Sequence, residues 1–402
     1  MVLEMLRRLA IVAVVILGGL LTWNYFRPIP AVAATGSLPA QETVTGTPPT
    51  IAWPTAGSAA VGVSGLGFIA SSGNEQPLPA ASVAKVMTAL VVLGDKPLQK
   101  GQERPSLTIT DADVQTYLAD QADKQSVVKV QAGEQLTEFQ ALEGLLIPSG
   151  NNIADTLARW DAGSLDAFVA KLNERAKSLP LPHTLFADAS GASAKTVSTP
   201  SDLMALGMAA MKHDVLAQIV GLPQAVLPVA GTVYNVDSVL GQSGIVGIKT
   251  GSGLDSGANF LFAASAAVDG HPVTLFGCVM GQPTLNQAFN AAKSLIASIQ
   301  PGLHVRQVIT RNQTVASYLM PWGGQVDLLA TVDVNLIEWP GMVLRQRLDA
   351  PALVIDEALA AGTSEGTEHL ALGAYNLDVP LATAGPIYPP GRLWRLTRIN
   401  GF

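Results

Sequence analysis

The chain has 402 residues and a formal net charge of −7, from 24 Lys and Arg against 31 Asp and Glu, and no basic stripe, which excludes a nucleic-acid binder. Its single cysteine excludes an intramolecular disulfide, and five scattered histidines form no H-E-x-x-H pattern and pair with no cysteine, so the sequence offers no metal site. The length leaves room for two or three domains with a substantial core.

Residues Leu9 to Trp23 are nearly all apolar and follow Arg7 and Arg8. By the positive-inside rule the N-terminus stays in the cytoplasm and the rest is exported. Trp23, Tyr25 and Phe26 read as an interfacial aromatic belt, so residues 1–27 are expected to be an uncleaved membrane anchor. The alternative is a signal segment removed near Ala33, within Ala31-Val32-Ala33, giving a secreted form. Residues 28–50 are rich in Pro, Ala, Gly and Thr without an apolar period, which predicts a flexible linker.

Ala59 to Val63 and Leu66 to Ala70 read as short strands, and a loop with two prolines leads to a helix from Ser82 to Leu93 capped by Gly94. Leu107 to Thr110 reads as a strand, followed by a polar insertion up to Gln125. Thr137-x-x-Gln140 is a capping box, opening a helix with Leu136, Phe139, Leu142 and Leu145 on one face, and Pro148 stops it. Ser149-Gly150-Asn151 is thereby left in a tight connection, because the next helix, with Ile153, Leu157 and Trp160, starts at once. A further helix carries Leu165, Phe168 and Leu172, and another runs from Leu203 to Met211. Three apolar runs, Gly244 to Gly251, Ala258 to Ala266 and Val273 to Met280, predict an antiparallel sheet, with Cys278 as a buried structural thiol. Leu285, Phe289, Ala292, Leu295 and Ile299 line a helix that covers one sheet face.

The expected fold class is therefore α/β (α+β): an antiparallel sheet flanked by helices, with an inserted helical subdomain, over residues 51–300. Past Pro301-Gly302, short runs at Val305 to Ile309, Val326 to Ala330, Val343 to Leu348, His369 to Leu372 and Leu393 to Leu396 predict a small all-β domain over 303–402.

The chemistry lies in three fragments: Ser82-x-x-Lys85, Ser149-x-Asn151 and Lys249-Thr250-Gly251. A serine hydroxyl is a weak nucleophile without a base, and no Ser-His-Asp set or G-x-S-x-G elbow is present. Lys85, sharing a helix face with Ser82, is the base, and it must be neutral to act. Burial and a second cation, Lys249, would lower its pKa. Ser149 would relay a proton to the leaving amine, Asn151 would hold Lys85 and a substrate amide, and Lys249 with Thr250 suits a substrate carboxylate. Gly251 lets an extended substrate lie along the strand edge, and the backbone N–H groups of Ser82 and Ser252 would form the oxyanion hole.

Fragments of this kind, in this order, mark penicillin-binding proteins and class A β-lactamases. With Leu78-Pro79-Ala80-Ala81-Ser82, Ser149-Gly150-Asn151-Asn152-Ile153-Ala154, Phe186-Ala187-Asp188-Ala189-Ser190-Gly191, Thr199-Pro200-Ser201-Asp202 and Gly247-Ile248-Lys249-Thr250-Gly251, the chain resembles the serine D-alanyl-D-alanine carboxypeptidases, the low-molecular-mass penicillin-binding proteins. The resemblance spans about residues 51 to 300. It implies a cofactor-free enzyme that removes the terminal D-alanine of peptidoglycan pentapeptide stems through an acyl-enzyme on Ser82 and is blocked by β-lactams. Ser252 departs from the His that often follows Lys-Thr-Gly in this family, and the N-terminal apolar segment would do the job of the C-terminal amphipathic membrane helix with which many relatives end. The rival readings are a class A-like β-lactamase, for which no deacylating glutamate is evident after Asn151, and a catalytically inactive cell-wall-binding protein, for which the intact motif residues have no use.

Overall fold

The computed structural model describes residues 1–73, 75–179 and 181–398. The chain divides into two compact units, Gly46–His304 and a second made of Met1–Thr45 with Val305–Phe402. Its helices are α1 (Val2–Phe26), α2 (Lys85–Asp95), α3 (Asp111–Ala122), α4 (Glu138–Leu146), α5 (Asn151–Ala162), α6 (Leu165–Ser178), α7 (Pro200–Ala210), α8 (Asp214–Val220), α9 (Leu285–Ile299) and α10 (Arg392–Thr397).

The larger unit is built on a five-stranded antiparallel sheet in the order Ile245–Gly253, Gly257–Val268, His271–Gln282, Ser58–Val63, Gly67–Ser71. Side chains alternate across a strand, so Phe260 and Leu261 point to opposite faces. Phe260 stacks edge to face on Phe289 of α9 at 4.9 Å, while Leu261 lies under Gly207 of α7. Helices on both faces explain why the central strands read as unbroken apolar runs rather than alternating ones. Cys278 is fully buried in that sheet. The helical part, α2 to α6, shares its core with α7. There the expected capping box is present: Thr137 and Gln140 exchange bonds at 3.1 and 3.0 Å.

Some local expectations fail for physical reasons. The segment around Ser82 is a 3-10 turn, Ala81–Ala84, with α2 beginning at Lys85 and running through Gly94 to Asp95. The polar insertion before Gln125 holds α3, whose Thr110 and Asp113 form a reciprocal capping box. That helix buries little but Asp113, so no apolar stripe announces it; it is tied instead by Asp113 to Thr156 and Arg159 at 2.8 and 2.7 Å.

The smaller unit holds a seven-stranded antiparallel sheet whose two edge strands, Ala34–Gly36 and Gln41–Thr43, lie within the segment expected to be a flexible linker. They pair with Ala316 to Tyr318 and with Val343 to Arg345. Edge pairing is made by the main chain, so small and polar side chains serve and no apolar period appears. The run Leu393 to Leu396, expected as a strand, is helical in α10; six residues are too few for a helical period to show. The Arg398 guanidinium donates to Asn24 O and Pro28 O, each at 3.0 Å, at the end of α1.

Candidate active site

The 3-10 turn decides the geometry of Ser82 and Lys85. With three residues per turn, side chains at i and i+3 eclipse, so Lys85 sits directly over Ser82. Its Nζ lies 2.8 Å from Ser82 Oγ, 2.5 Å from Asn151 Oδ1 and 2.9 Å from Ser190 O. The turn is entered through Ala81 with a left-handed φ of 48°, a conformation that costs free energy in a non-glycine residue and marks functional sites. Gly191 secures it from the other side, because a Cβ there would stand 1.9 Å from Ala81 O.

Ser149 and Asn151 follow from the stop of α4. Ser149 takes a left-handed φ of 68°, and Asn151 opens α5 with its own N–H held by Ser126 O at 2.8 Å. Asn151 reaches Lys85. Ser149 is buried in the same turn, yet among the described residues it forms no hydrogen bond to Ser82, Lys85 or Lys249.

Lys249, Thr250 and Gly251 lie on the edge strand Ile245–Gly253, which packs against the Ser82 turn. Lys249 and Thr250 are buried, and Lys249 Nζ donates to Thr250 O at 3.0 Å. Ser252 is exposed and lines, with Ser82, Lys124, Gln125, Asn151 and Leu254, a cleft of about 610 Å³. The structure thus joins Ser82, Lys85 and Asn151 by hydrogen bonds and places Ser252 beside Ser82 on the cleft wall.

Burial drives the Lys85 ammonium well below its ordinary pKa, and the charge of Lys249 lowers it further, against Asp188, Asp155 and Asp120. Burial brings Lys249 down to about 7, opposed by Asp237, a carboxyl that burial itself pushes up to about 6. Asp237 Oδ1 accepts from Val239 N at 3.0 Å while its buried Oδ2 has no partner. Asp188 bonds Ser190 Oγ and Ala192 N at 2.8 Å each, and Thr196 Oγ1, so it pins the loop whose Ser190 carbonyl faces Lys85. Ser190, Gln125 and Asp237 were not legible as site residues: the first acts through its main chain, and the others sit in segments without a motif.

A family model for D-alanyl-D-alanine carboxypeptidases matches residues 61–284, more than half of the chain. The chain belongs to the D-alanyl-D-alanine carboxypeptidase family. It is 34% identical over 220 residues to the D-alanyl-D-alanine carboxypeptidase DacB2 of Mycobacterium tuberculosis, covering 51% of this chain and 69% of that protein. It is 30% identical over 201 residues to the carboxypeptidase of Streptomyces sp. strain K15, covering 46% and 67%. The crystal structure of the Streptomyces K15 DD-transpeptidase superposes with a TM-score of 0.55 at 27% identity, over 63% of this chain and 98% of that one. Penicillin-binding protein 5 from Haemophilus influenzae shares the fold, with a TM-score of 0.62 at 19% identity over 85% of this chain. This family member is therefore a serine peptidase with DD-carboxypeptidase activity, and the β-lactamase alternative is not favoured.

Proposed function

We propose that the enzyme works on the outer face of the cytoplasmic membrane, removing the terminal D-alanine from peptidoglycan stems through an ester on Ser82. Lys85 acts as base. Ser82 Oγ attacks the carbonyl carbon of the penultimate residue as its proton passes to the neutral Lys85 amine, and the oxyanion forms between the N–H groups of Ser82 and Ser252. The C–N bond then breaks, the departing D-alanine amine takes a proton by way of Ser149, and water hydrolyses the ester. Asn151 orients Lys85, and Lys249 with Thr250 and Gly251 receives the substrate's C-terminal carboxylate and backbone. Penicillins enter the same route and stay on Ser82.

The observation that carries this reading is the position of Lys85 Nζ among Ser82 Oγ, Asn151 Oδ1 and Ser190 O. A neutral amine has two N–H bonds and one lone pair. The two carbonyl oxygens take the N–H bonds, and the lone pair is left for the Ser82 hydroxyl. The test is fluorescent-penicillin labelling and D-alanine release by the Ser82→Ala variant, expected to lose on the order of 10⁶ in rate. Release of D-alanine near the parent rate would overturn it.

The membrane reading is supported by α1, which is 25 residues long, carries no charged residue from Leu9 to Phe26 and has no residue buried. At about 1.5 Å per residue such a helix exceeds the roughly 30 Å hydrocarbon core. Protein made in a bacterial host is expected to stay with membranes after alkaline extraction; a mature N-terminus at Ala34 would establish the secreted form instead.

A further inference from the structure

We propose that Gln125 is a positioning residue for catalysis: it keeps the Asn151 amide turned with its oxygen toward Lys85, so that the lysine lone pair stays available to Ser82. The proposal rests on the acyl-enzyme reading above. Asn151 Nδ2 donates to Gln125 Oε1 at 2.5 Å while Asn151 Oδ1 accepts from Lys85 Nζ at 2.5 Å, so Gln125, Asn151, Lys85 and Ser82 form one chain of hydrogen bonds.

An asparagine amide has nearly the same shape in its two orientations, so packing alone does not choose between them. The choice has chemical consequences at this position. With Oδ1 toward Lys85, the amide occupies an N–H of the amine. Turned over, its NH₂ would donate to the lone pair of neutral Lys85, and the base for Ser82 would be lost. In the structure Gln125 presents Oε1, which only accepts and so takes the NH₂ end of Asn151; the two amides turn as a pair, Gln125 Oε1 toward Asn151 and Asn151 Oδ1 toward Lys85.

The loop holds the main chain of Gln125 beside Asn151. Its N–H donates to Asp120 O at 2.9 Å, and the next residue's carbonyl, Ser126 O, accepts from Asn151 N at 2.8 Å. Beyond it, Val128 N and O bracket the Asn152 side chain at 2.9 and 2.8 Å. Lys124, immediately before, carries a left-handed φ of 58°, which turns the chain into this position. Gln125 and Asn151 both line the Ser82 cleft and an adjoining cavity of about 430 Å³ walled by Asp120, Asp155 and Asp188, so the pair stands at the partition between the two.

The test uses the full chain and follows the second-order acylation rate with a fluorescent penicillin across pH for Gln125→Met and Gln125→Glu, with melting curves alongside. The charged groups facing Lys85 are Lys249, Asp188, Asp155 and Asp120. Gln125→Met keeps the length of the side chain and removes the acceptor; acylation is expected to fall on the order of 10²-fold at an unchanged melting temperature. Gln125→Glu retains an acceptor and is expected to recover the rate at its optimum to within about threefold, with the acid limb moved to higher pH because the added carboxylate favours protonated Lys85. Parent-like acylation by Gln125→Met, or equal losses in both variants with no movement of the limb, would overturn the proposal. Ser82→Ala separates this from the reading beneath it: labelling of that variant would bring down the acyl-enzyme itself, whereas its silence beside a fully active Gln125→Met would remove only the role of Gln125.

Discussion

Gly251 stands against the backbone nitrogen of Ser82: a Cβ at position 251 would lie 3.1 Å from that nitrogen, and also 3.1 Å from Ala80 O and from Ala81 Cβ. The strand carrying Lys249 and the turn carrying Ser82 therefore approach closely at Gly251, as the proposed oxyanion hole of Ser82 and Ser252 N–H requires. A methyl group there must push strand and turn apart by a few tenths of an ångström. Gly251→Ala is expected to slow acylation by about 10²-fold, the scale of losing one oxyanion donor, while the fold is retained. Stopped-flow acylation with a chromogenic cephalosporin measures it, and a parent-like rate would show that the donors do not converge beside Gly251.

A second expectation concerns the ester. Among the described residues no glutamate lines the Ser82 cleft; its acids are Asp123 and Asp255, both exposed. Asp188 is occupied in the loop by Ser190, Ala192 and Thr196. Fast hydrolysis of a penicilloyl ester requires a base aimed at water, and the opened penicillin stays tethered where water would enter. The adduct is expected to last minutes or longer, read by intact-protein mass spectrometry. Rapid return of unmodified protein with an excess of hydrolysed penicillin would contradict it.

How much of this was legible depended on whether side chains or main chain did the work. The helix read from Leu285 to Ile299 is α9 to the residue, because its apolar stripe faces the sheet. The capping box at Thr137 and the turn at Ser149 were equally plain, since a side-chain bond and a proline announce them. The strands at Ala34 and Gln41 were not, because edge pairing asks nothing of side chains. The same holds at the site: Ser82 and Lys85 meet as their i, i+3 spacing implies and Asn151 reaches Lys85, but the Ser190 carbonyl at Lys85 and the Gln125 acceptor at Asn151 come from loops that only the folded chain brings there.

Glu138 offers a stability prediction. Its carboxylate is buried with neither oxygen hydrogen-bonded, and burial pushes its pKa up to about 7, opposed by Lys96 and reinforced by Asp161. Between the unfolded value, 4.5, and about 7 the folded chain holds a proton that the unfolded chain has lost, so stability falls as pH rises through that window. Glu138→Gln removes the titration. It is expected to stabilise by about 1–2 kcal/mol at pH 8, discounted for solvent reach, and by nothing near pH 4, where the parent carboxyl is already neutral. Urea melts at the two pH values decide it, and an equal effect at both would assign the change to packing rather than charge.

The last prediction follows Lys249. Burial brings its ammonium to about 7, so its charge is present below that pH and lost as pH rises through it. Two consequences act together: in the binding role proposed for Lys249 the substrate carboxylate loses its cation, and Lys85 loses the neighbour that lowers its own pKa, which favours its protonated form. Only the first depends on the substrate having a carboxylate. The KM for an acyl-D-Ala-D-Ala peptide is therefore expected to rise above about pH 7, while the KM for the matching C-terminal amide stays level. Asp237 favours the charged form of Lys249, so Asp237→Asn is expected to move the KM limb to lower pH for the acid and to leave the amide's KM level. Steady-state D-alanine or D-alaninamide release across pH, with parent and variant side by side, supplies the readout. If acid and amide share one KM limb in the parent, Lys249 does not hold the carboxylate; if the limb stays in place in Asp237→Asn, Asp237 does not set the proton on Lys249.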